Sequence, residues 1–258
     1  MSYSETENGI NVKDSSTGYY ETIVRPILAE FVGVCLLVFV GSLSLQDNLQ
    51  ATVALTHGLT VTLLIIGLGG ISGGHFNPAV SLGVIVAGAI DTELAIGYII
   101  GQLLGGVFGA TLVRAMLPSH VYKNIKGGNH RLGFDVESNQ AILGEIILTT
   151  ALVFIVLMST INRRTKSKLA PLAIGFAVTV DILSGGRTTG ASMNPARALG
   201  PAIVSYGIMT DSFDDLFVWW VGPLLGGLLA GLLYSGSELR WVDQSSPQFK
   251  PQASKQTL

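Results

Sequence analysis

The sequence has few charged residues and a single cysteine. Charged residues make up 12% of its 258 residues, about half of the roughly 25% typical of a soluble globular domain. The net charge of -2 gives no basic footprint for nucleic acid. The one cysteine, Cys35, excludes an intrachain disulfide and a cysteine metal cluster. We therefore expect neither a water-soluble domain nor a nucleic-acid-binding or disulfide-stabilised module.

Long apolar segments take up most of the chain, in which 48% of residues are hydrophobic and 32 are glycine. An α-helix needs about 20 residues to cross the hydrocarbon, and lipid offers no partners for the backbone of any open strand. The apolar segments therefore predict six transmembrane helices, two of them a little short. They cover residues 27–45, 52–71, 94–117, 141–158, 169–184 and 216–235.

Two further apolar stretches, residues 77–89 and 194–205, are too short to cross. At 1.5 Å per residue, about 12 residues reach ~18 Å, little more than half of the ~30 Å hydrocarbon thickness. Asparagine is a preferred N-cap and proline a preferred first helical residue. The stretches thus predict two re-entrant half-helices. Each begins with Asn-Pro-Ala, at Asn77, Pro78 and Ala79 and at Asn194, Pro195 and Ala196.

The chain also repeats itself, because the two Asn-Pro-Ala starts are 117 residues apart and flanking residues recur at a similar shift. Each half contains two spans, a half-helix and a third span. Three crossings are an odd number, so the second half must enter from the opposite side, which makes the repeats inverted in topology. We assign the first repeat to 24–118, an outer connecting loop to 119–140 and the second repeat to 141–236.

The distribution of positive charge predicts the orientation. Four positive residues, Arg163, Arg164, Lys166 and Lys168, fall within six residues of the loop between the fourth and fifth spans. With the tails, residues 1–23 and 237–258, this side carries more lysine and arginine than the other. Positive residues favour the cytosolic side, so both termini are expected there. The plasma membrane is the expected host membrane, and an intracellular membrane stays an alternative.

The chemistry of the two half-helices points to a pore. Two helix N-termini that meet at mid-depth bring two positive macrodipole ends together, each worth about half a charge, and this field opposes cations. The amides of Asn77 and Asn194 can orient a passing oxygen and so interrupt a proton wire. Arg197 lies in the first turn of the second half-helix, and an arginine inside the membrane is expected to be functional.

These motifs resemble the aquaporin, or major intrinsic protein, family. The resemblance covers about residues 24–236 and rests on the segments Ser-Gly-Gly-His-Phe-Asn-Pro-Ala-Val, 72–80, and Gly-Ala-Ser-Met-Asn-Pro-Ala-Arg, 190–197. It implies an all-α bundle of six helices and two half-helices, assembled as a homotetramer with one pore per subunit. It also implies a passive channel with membrane lipid around it, with water and small neutral solutes as its partners, and without catalytic residues, cofactor or metal.

The same resemblance places the narrowest filter of the pore at His57, Ile182, Ala191 and Arg197. Strict water channels of the family usually have an aromatic residue, a histidine, a small residue and the arginine. Here histidine replaces the aromatic residue and isoleucine replaces the histidine, so the filter is expected to be wider and less polar on one wall. This pattern is similar to the aquaporin-eight and plant tonoplast groups, which pass ammonia and hydrogen peroxide along with water. Ala198, where glycerol-conducting relatives usually have aspartate, argues against a glycerol facilitator.

Other polar residues within apolar surroundings need a role. Glu30 and Glu145 occupy equivalent positions in the two repeats, and we expect each to accept hydrogen bonds from the exposed backbone of a half-helix loop. A proton relay is the alternative. His130 and Arg131, in the outer loop, are candidates to reach the mouth, and Asp181 has no assigned role.

Two other function classes fit the sequence less well. A secondary transporter can also have inverted repeats and broken helices, but it needs ionisable ligands at the midplane, where this chain offers amides and aliphatic residues. An intramembrane enzyme needs a nucleophile and base or a metal cluster, and His75 and Cys35 are isolated in the sequence. The sequence thus predicts a passive channel that excludes protons and ions, and no enzyme.

Overall fold

The computed structural model describes residues 18–236, and the regular secondary structure of this part of the chain is entirely helical, without a strand. The tails predicted at 1–23 and 237–258 lie outside the described residues, except for 18–23. A π-helical turn, Tyr20–Val24, precedes the first α-helix. The α-helices are α1 Arg25–Leu43, α2 Gln50–Ser72, α3 Pro78–Val86, α4 Thr92–Met116, α5 Ser119–Asn124, α6 Ser138–Val156, α7 Ala170–Gly185, α8 Pro195–Ser205 and α9 Val218–Gly236.

Six of these helices correspond to the predicted spans. Five helical stretches, containing α1, α2, α4, α6 and α9, are long and apolar enough to cross a membrane. The sixth, α7, is apolar but has only 16 residues, which corresponds to about 24 Å of helix. The predicted fold class, an all-α membrane protein with six spans, two half-helices and inverted repeats, is confirmed.

The packing of the helices follows the repeat. In the first half α1 packs along α4, and in the second half α6 packs along α9. Helices α2 and α7 form the largest contact between the halves. Each half-helix packs mainly on the third span of the other repeat, because α3 contacts α9 and α8 contacts α4. The two repeats are therefore interlocked around the half-helices rather than placed side by side.

Two glycines allow the half-helices to come this close. A β-carbon on Gly106 of α4 would collide with the carbonyl oxygen of Ala196, and one on Gly227 of α9 would collide with that of Ala79. Both carbonyls belong to the Asn-Pro-Ala segments. Small residues permit such backbone contact between membrane helices, so these glycines set the depth at which the half-helices start.

The half-helices differ slightly from their predicted bounds. Helix α3 begins at Pro78, because Asn77 is its N-cap in extended conformation, and it ends at Val86 rather than at 89. Gly88, with φ of +68°, turns the chain away from the helix toward α4. The stretch predicted as the outer loop, 119–140, contains the short helix α5 and a 3-10 turn at Lys126–Gly128 and gives its last residues to α6.

Candidate functional site

The two Asn-Pro-Ala starts meet and cap each other. The Oδ1 atom of Asn77 accepts from the backbone N–H of Ala79 at 2.8 Å, while its Nδ2 donates to the carbonyl of Met193 at 2.7 Å. Asn194 repeats this pattern, since its Nδ2 donates to the carbonyl of Phe76 at 2.8 Å. Each asparagine thus caps its own half-helix and binds the residue before the other asparagine. One N–H of each side-chain amide is left over for a molecule in the pore.

The residues that supply these carbonyls have an unusual backbone. Phe76 has φ of +46° and Met193 has φ of +51°, a left-handed conformation that costs free energy in residues with a β-carbon. The conformation turns each loop sharply before its half-helix. The strain is therefore located at the pair of turns that face each other at the centre of the molecule.

Glu30 of α1 holds the first of these loops. Its carboxylate is fully buried and accepts from the backbone N–H of His75 at 3.0 Å and of Phe76 at 2.6 Å. The hydroxyl of Ser72 and the Nε2 of Gln102 donate to it as well, at 2.6 and 2.8 Å. All four partners are donors, which an ionised carboxylate, an acceptor only, satisfies.

Glu145 of α6 occupies the equivalent place in the second repeat. It is also fully buried and accepts from the backbone N–H of Ser192 at 2.9 Å and of Met193 at 2.7 Å. The hydroxyl of Thr189 donates at 2.6 Å and itself accepts from the N–H of Ala191 at 3.0 Å. The two carboxylates thus satisfy backbone groups that lipid could not.

A cavity of about 510 Å³ passes the two asparagines. At one end, the loop-side mouth, it is lined by Asn48 and by parts of 124–131 and 186–190; at the other, the terminal-side mouth, by Ile65, Gly74, His75 and Val156. Between the mouths, the walls are mostly aliphatic. They include Leu37, Val61, Val80, Leu152, Ile174 and Val178. The result is a largely apolar cavity with polar groups at a few depths only.

The four residues assigned to the filter all line this cavity near its loop-side mouth: His57, Ile182, Ala191 and Arg197. The Nε of Arg197 donates to the Nε2 of His57 at 3.4 Å, and the Nδ1 of His57 is 2.9 Å from the carbonyl of Val53. This pattern fits a neutral ring that carries its proton on Nδ1. His57 therefore lies beside the guanidinium, and Ile182 and Ala191 supply the apolar part of the wall.

The loop that follows α5 completes this end of the cavity. The carbonyl of Gly128 accepts from Nη1 of Arg197 at 2.9 Å, an anchor that no sequence motif indicated because it is a backbone atom. The loop itself is fixed to α8, since the amide of Asn129 donates to Ser205 at 2.6 Å. The side chain of Arg131 forms an ion pair with Asp211. The loop thus holds the arginine from the side opposite to its own helix.

His130 also reaches this end of the cavity. Its ring packs against Gly190 and lies 5.5 Å from the ring of Trp219, whose Nε1 donates to the carbonyl of Thr189 at 2.9 Å. Burial, together with the positive charge of Arg197 and the proximity of His57, lowers the pKa of His130 well below its ordinary value. His130 is thus a neutral lining group at neutral pH.

Asp181 is placed outside the cavity wall. It is 7% exposed, and its Oδ2 atom has no hydrogen-bond partner among the described residues. It does not line the cavity, although the next residue, Ile182, does. Within residues 18–236, no group of three or more histidine, cysteine, aspartate or glutamate side chains could hold a metal ion.

Comparisons with known proteins agree with this architecture. The family model for the major intrinsic protein matches residues 19–234. The chain is 46% identical to mouse aquaporin-8 over 234 residues, which cover 87% of this chain and 88% of that protein. It is 37% identical to aquaporin TIP4-4 of maize, covering 83% and 86% of the two chains.

Among solved structures, the aquaglyceroporin of Plasmodium falciparum superposes with a TM-score of 0.71 at 26% identity, covering 82% of this chain and 95% of that one. The resemblance to the aquaporin-eight and tonoplast groups, drawn above from short motifs, is thus confirmed over almost the whole chain. The chain belongs to the major intrinsic protein family, and it is an integral membrane protein that acts as a passive aquaporin-type channel for water and small solutes rather than as an enzyme.

Proposed function

We propose that this channel passes ammonia and hydrogen peroxide as well as water, through one pore in each chain, and that it excludes protons and ions. The observation that carries the proposal is the pair of reciprocal bonds between Asn77 and Asn194 in the middle of an apolar cavity. A molecule at this point meets amide donors from both sides and no carboxylate.

Charge exclusion follows from the geometry of the half-helices. Helices α3 and α8 direct their positive ends at the same point, where the field repels cations. A water molecule that accepts from the asparagine amides points its hydrogens away from both, so it cannot pass a proton along a chain of hydrogen bonds. Aliphatic walls on both sides cannot replace the hydration shell of an ion. Neutral solutes have no net charge, so neither the field of the half-helices nor the loss of an ionic hydration shell opposes them.

The proposed filter consists of His57, Ile182, Ala191 and Arg197. Arg197 and His57 give a polar wall, while Ile182 replaces a polar group by an aliphatic one. In this assignment ammonia and peroxide pass because the aliphatic wall does not select for solutes that form the same hydrogen bonds as water. Glu30 and Glu145 hold the loops before the two half-helices and take no part in conduction.

Stopped-flow light scattering of proteoliposomes tests the proposal. We expect rapid, non-saturating water flux of low activation energy, with ammonia and peroxide entry well above that of empty vesicles. Ile182→His adds a polar group to the wall and is expected to lower ammonia and peroxide entry relative to water. Leu183→His, on the exposed side of the same helix, is the control and should leave all three fluxes unchanged. Saturable water flux, or equal losses in both variants, would contradict the assignment.

The assembly and orientation complete the proposal. We place residues 24–118 and 141–236 as the two repeats of a channel that assembles as a homotetramer in the plasma membrane, with both termini in the cytosol. Helix α2 is compatible with the assembly, because large apolar side chains along one face are at least half exposed and suit contact with another copy as well as with lipid. They are Leu55, Leu59, Leu63 and Ile66.

Two measurements test this arrangement. Native mass spectrometry of the detergent-solubilised protein is expected to give the mass of four chains, and a monomer would rule out the tetramer. An impermeant maleimide added to intact cells should label Asp135→Cys but not Lys166→Cys, since the two positions, both exposed, lie on opposite faces in the proposed topology. Labelling of Lys166→Cys alone would show the reverse orientation.

A further inference from the structure

Positively charged side chains are concentrated at one end of the cavity. Lys126, Arg131, Arg187 and Arg197 all line it near the loop-side mouth. No aspartate or glutamate of the described residues lines any part of the cavity, and no charged residue lines the terminal-side mouth. The loop-side mouth is therefore a concave region of one charge sign, which focuses its field and raises the local concentration of counter-ions.

Most of this positive charge is not neutralised by neighbours. Arg131 is paired with Asp211. Lys126 and Arg187 are exposed, and neither forms a salt bridge within residues 18–236. Two exposed cations beside the mouth thus lack a carboxylate partner among the residues that the structure describes.

Arg197, deeper in the cavity, also retains donors. A guanidinium has five N–H groups, and two of them are used, one by His57 and one by the carbonyl of Gly128. These hydrogen bonds use Nε and Nη1 only, and the residue lines the cavity. The deepest cation can therefore bind an acceptor that enters from this mouth.

The backbone brings these cations to one place. The N–H of Gly133 donates to the carbonyl of Thr188 at 2.7 Å, and His130 packs on Gly190. The segment that carries Arg131 therefore lies along the segment that carries Arg187. These two segments form one side of the mouth, and the 3-10 turn that starts at Lys126 belongs to the same loop.

An anion attracted into this mouth cannot continue. Beyond the filter the walls become aliphatic, with Val61 and Val178, and a dehydrated ion is costly in such surroundings. The anion would therefore stay between the cations and the narrow part, in the path of the neutral solutes.

We propose that the loop-side mouth, with Lys126, Arg187 and the free face of Arg197, is a binding site for a small, weakly hydrated monovalent anion, whose occupancy obstructs the pore. Nitrate is a suitable probe, because it is planar, accepts hydrogen bonds at three oxygens and loses its water easily. The inference rests on the channel function, since obstruction is measured as a loss of water flux.

The test is water flux of proteoliposomes in sodium nitrate against sodium gluconate of equal ionic strength, with the salt on both sides so that insertion orientation does not matter. We expect nitrate at about 0.1 M, where screening acts over ~10 Å, to lower water permeability at least about twofold. The double variant Lys126→Gln/Arg187→Gln should keep its flux in gluconate. Because it loses the two free cations of the mouth, its half-inhibiting nitrate concentration should rise at least about fivefold.

The matched control is Arg164→Gln/Lys166→Gln, which removes the same charge from the exposed loop before α7 and should keep the wild-type nitrate response. The inference fails if nitrate leaves wild-type flux unchanged, if the mouth variant responds like wild type, or if both double variants shift equally. Absence of water flux in gluconate would instead refute the channel function itself, so the two failures are distinguishable.

Discussion

Replacing Glu145 by glutamine tests how the second half-helix is held in place. The carboxylate accepts from Thr189 and Ser192 through Oε1 and from Met193 through Oε2. Glutamine has the same shape but only one acceptor oxygen. If that oxygen takes the place of Oε1, the amide nitrogen faces the backbone N–H of Met193, and two donors are opposed in a fully buried position.

The expected cost can be estimated from these bonds. A buried donor left without an acceptor costs about 1–3 kcal/mol. The two remaining bonds change from a charged to a neutral acceptor, which weakens each by about 1 kcal/mol. Glu145→Gln should therefore lower the free energy of unfolding by about 3–5 kcal/mol, a large part of the stability of a typical domain. Water permeability per folded channel should also fall, because Met193 carries the carbonyl that Asn77 binds.

Denaturant titration of the detergent-solubilised protein, followed by circular dichroism, measures the first effect, and stopped-flow scattering measures the second. The control is Glu93→Gln, an exposed glutamate in the first turn of α4, which should change stability by less than about 0.5 kcal/mol. If Glu145→Gln is as stable as that control and conducts normally, the carboxylate does not hold the loop and the reasoning is wrong.

Three further predictions concern other parts of the chain. Gly58→Ala should destabilise the protein by about 1–3 kcal/mol, because the new methyl group meets the side chain of Thr179; thermal unfolding measures it, and an unchanged midpoint would count against the packing. The pKa of His130 in the folded protein is well below its ordinary value. Just below pH ~6.5, only the unfolded state binds a proton at this ring, so the free energy of unfolding falls as the pH is lowered. Wild type should then lose more unfolding free energy between pH 7.5 and 5 than His130→Gln; equal losses would refute this. Cys35 is buried and does not line the cavity, so mercuric chloride should leave water flux unchanged but block Ser192→Cys severalfold; block of wild type that Cys35→Ser removes would be the contrary result.

Much of the fold could be predicted because the membrane restricts the possibilities. Apolar runs of sufficient length must be helices in lipid, and the Asn-Pro-Ala starts combine an N-cap with a first-turn proline. The helix α7 is the shortest of the six spans, with 16 residues, because its apolar run is shorter than the others. The repeat then fixed the topology, since an odd number of crossings inverts the second half.

The arrangement of the candidate site could be predicted only in part. Side chains such as Arg197 can be assigned from their place in a motif, but the carbonyl of Gly128 that binds this arginine could not. Backbone carbonyls are present in every residue, so no pattern distinguishes this one. The left-handed conformations of Phe76 and Met193 could not be predicted either, because phenylalanine and methionine rarely adopt such backbone angles.

The mutual capping of the half-helices has a consequence for biosynthesis. While only the first repeat has been made, the Asn77 amide and the Phe76 carbonyl have no counterpart, because Met193 and Asn194 are more than a hundred residues behind on the ribosome. The first half-helix loop therefore cannot complete its hydrogen bonds until the second half-helix loop has been synthesised. The pore is thus expected to form late, after insertion of both repeats. A chain that ends after its third crossing should be degraded by quality control and should not conduct.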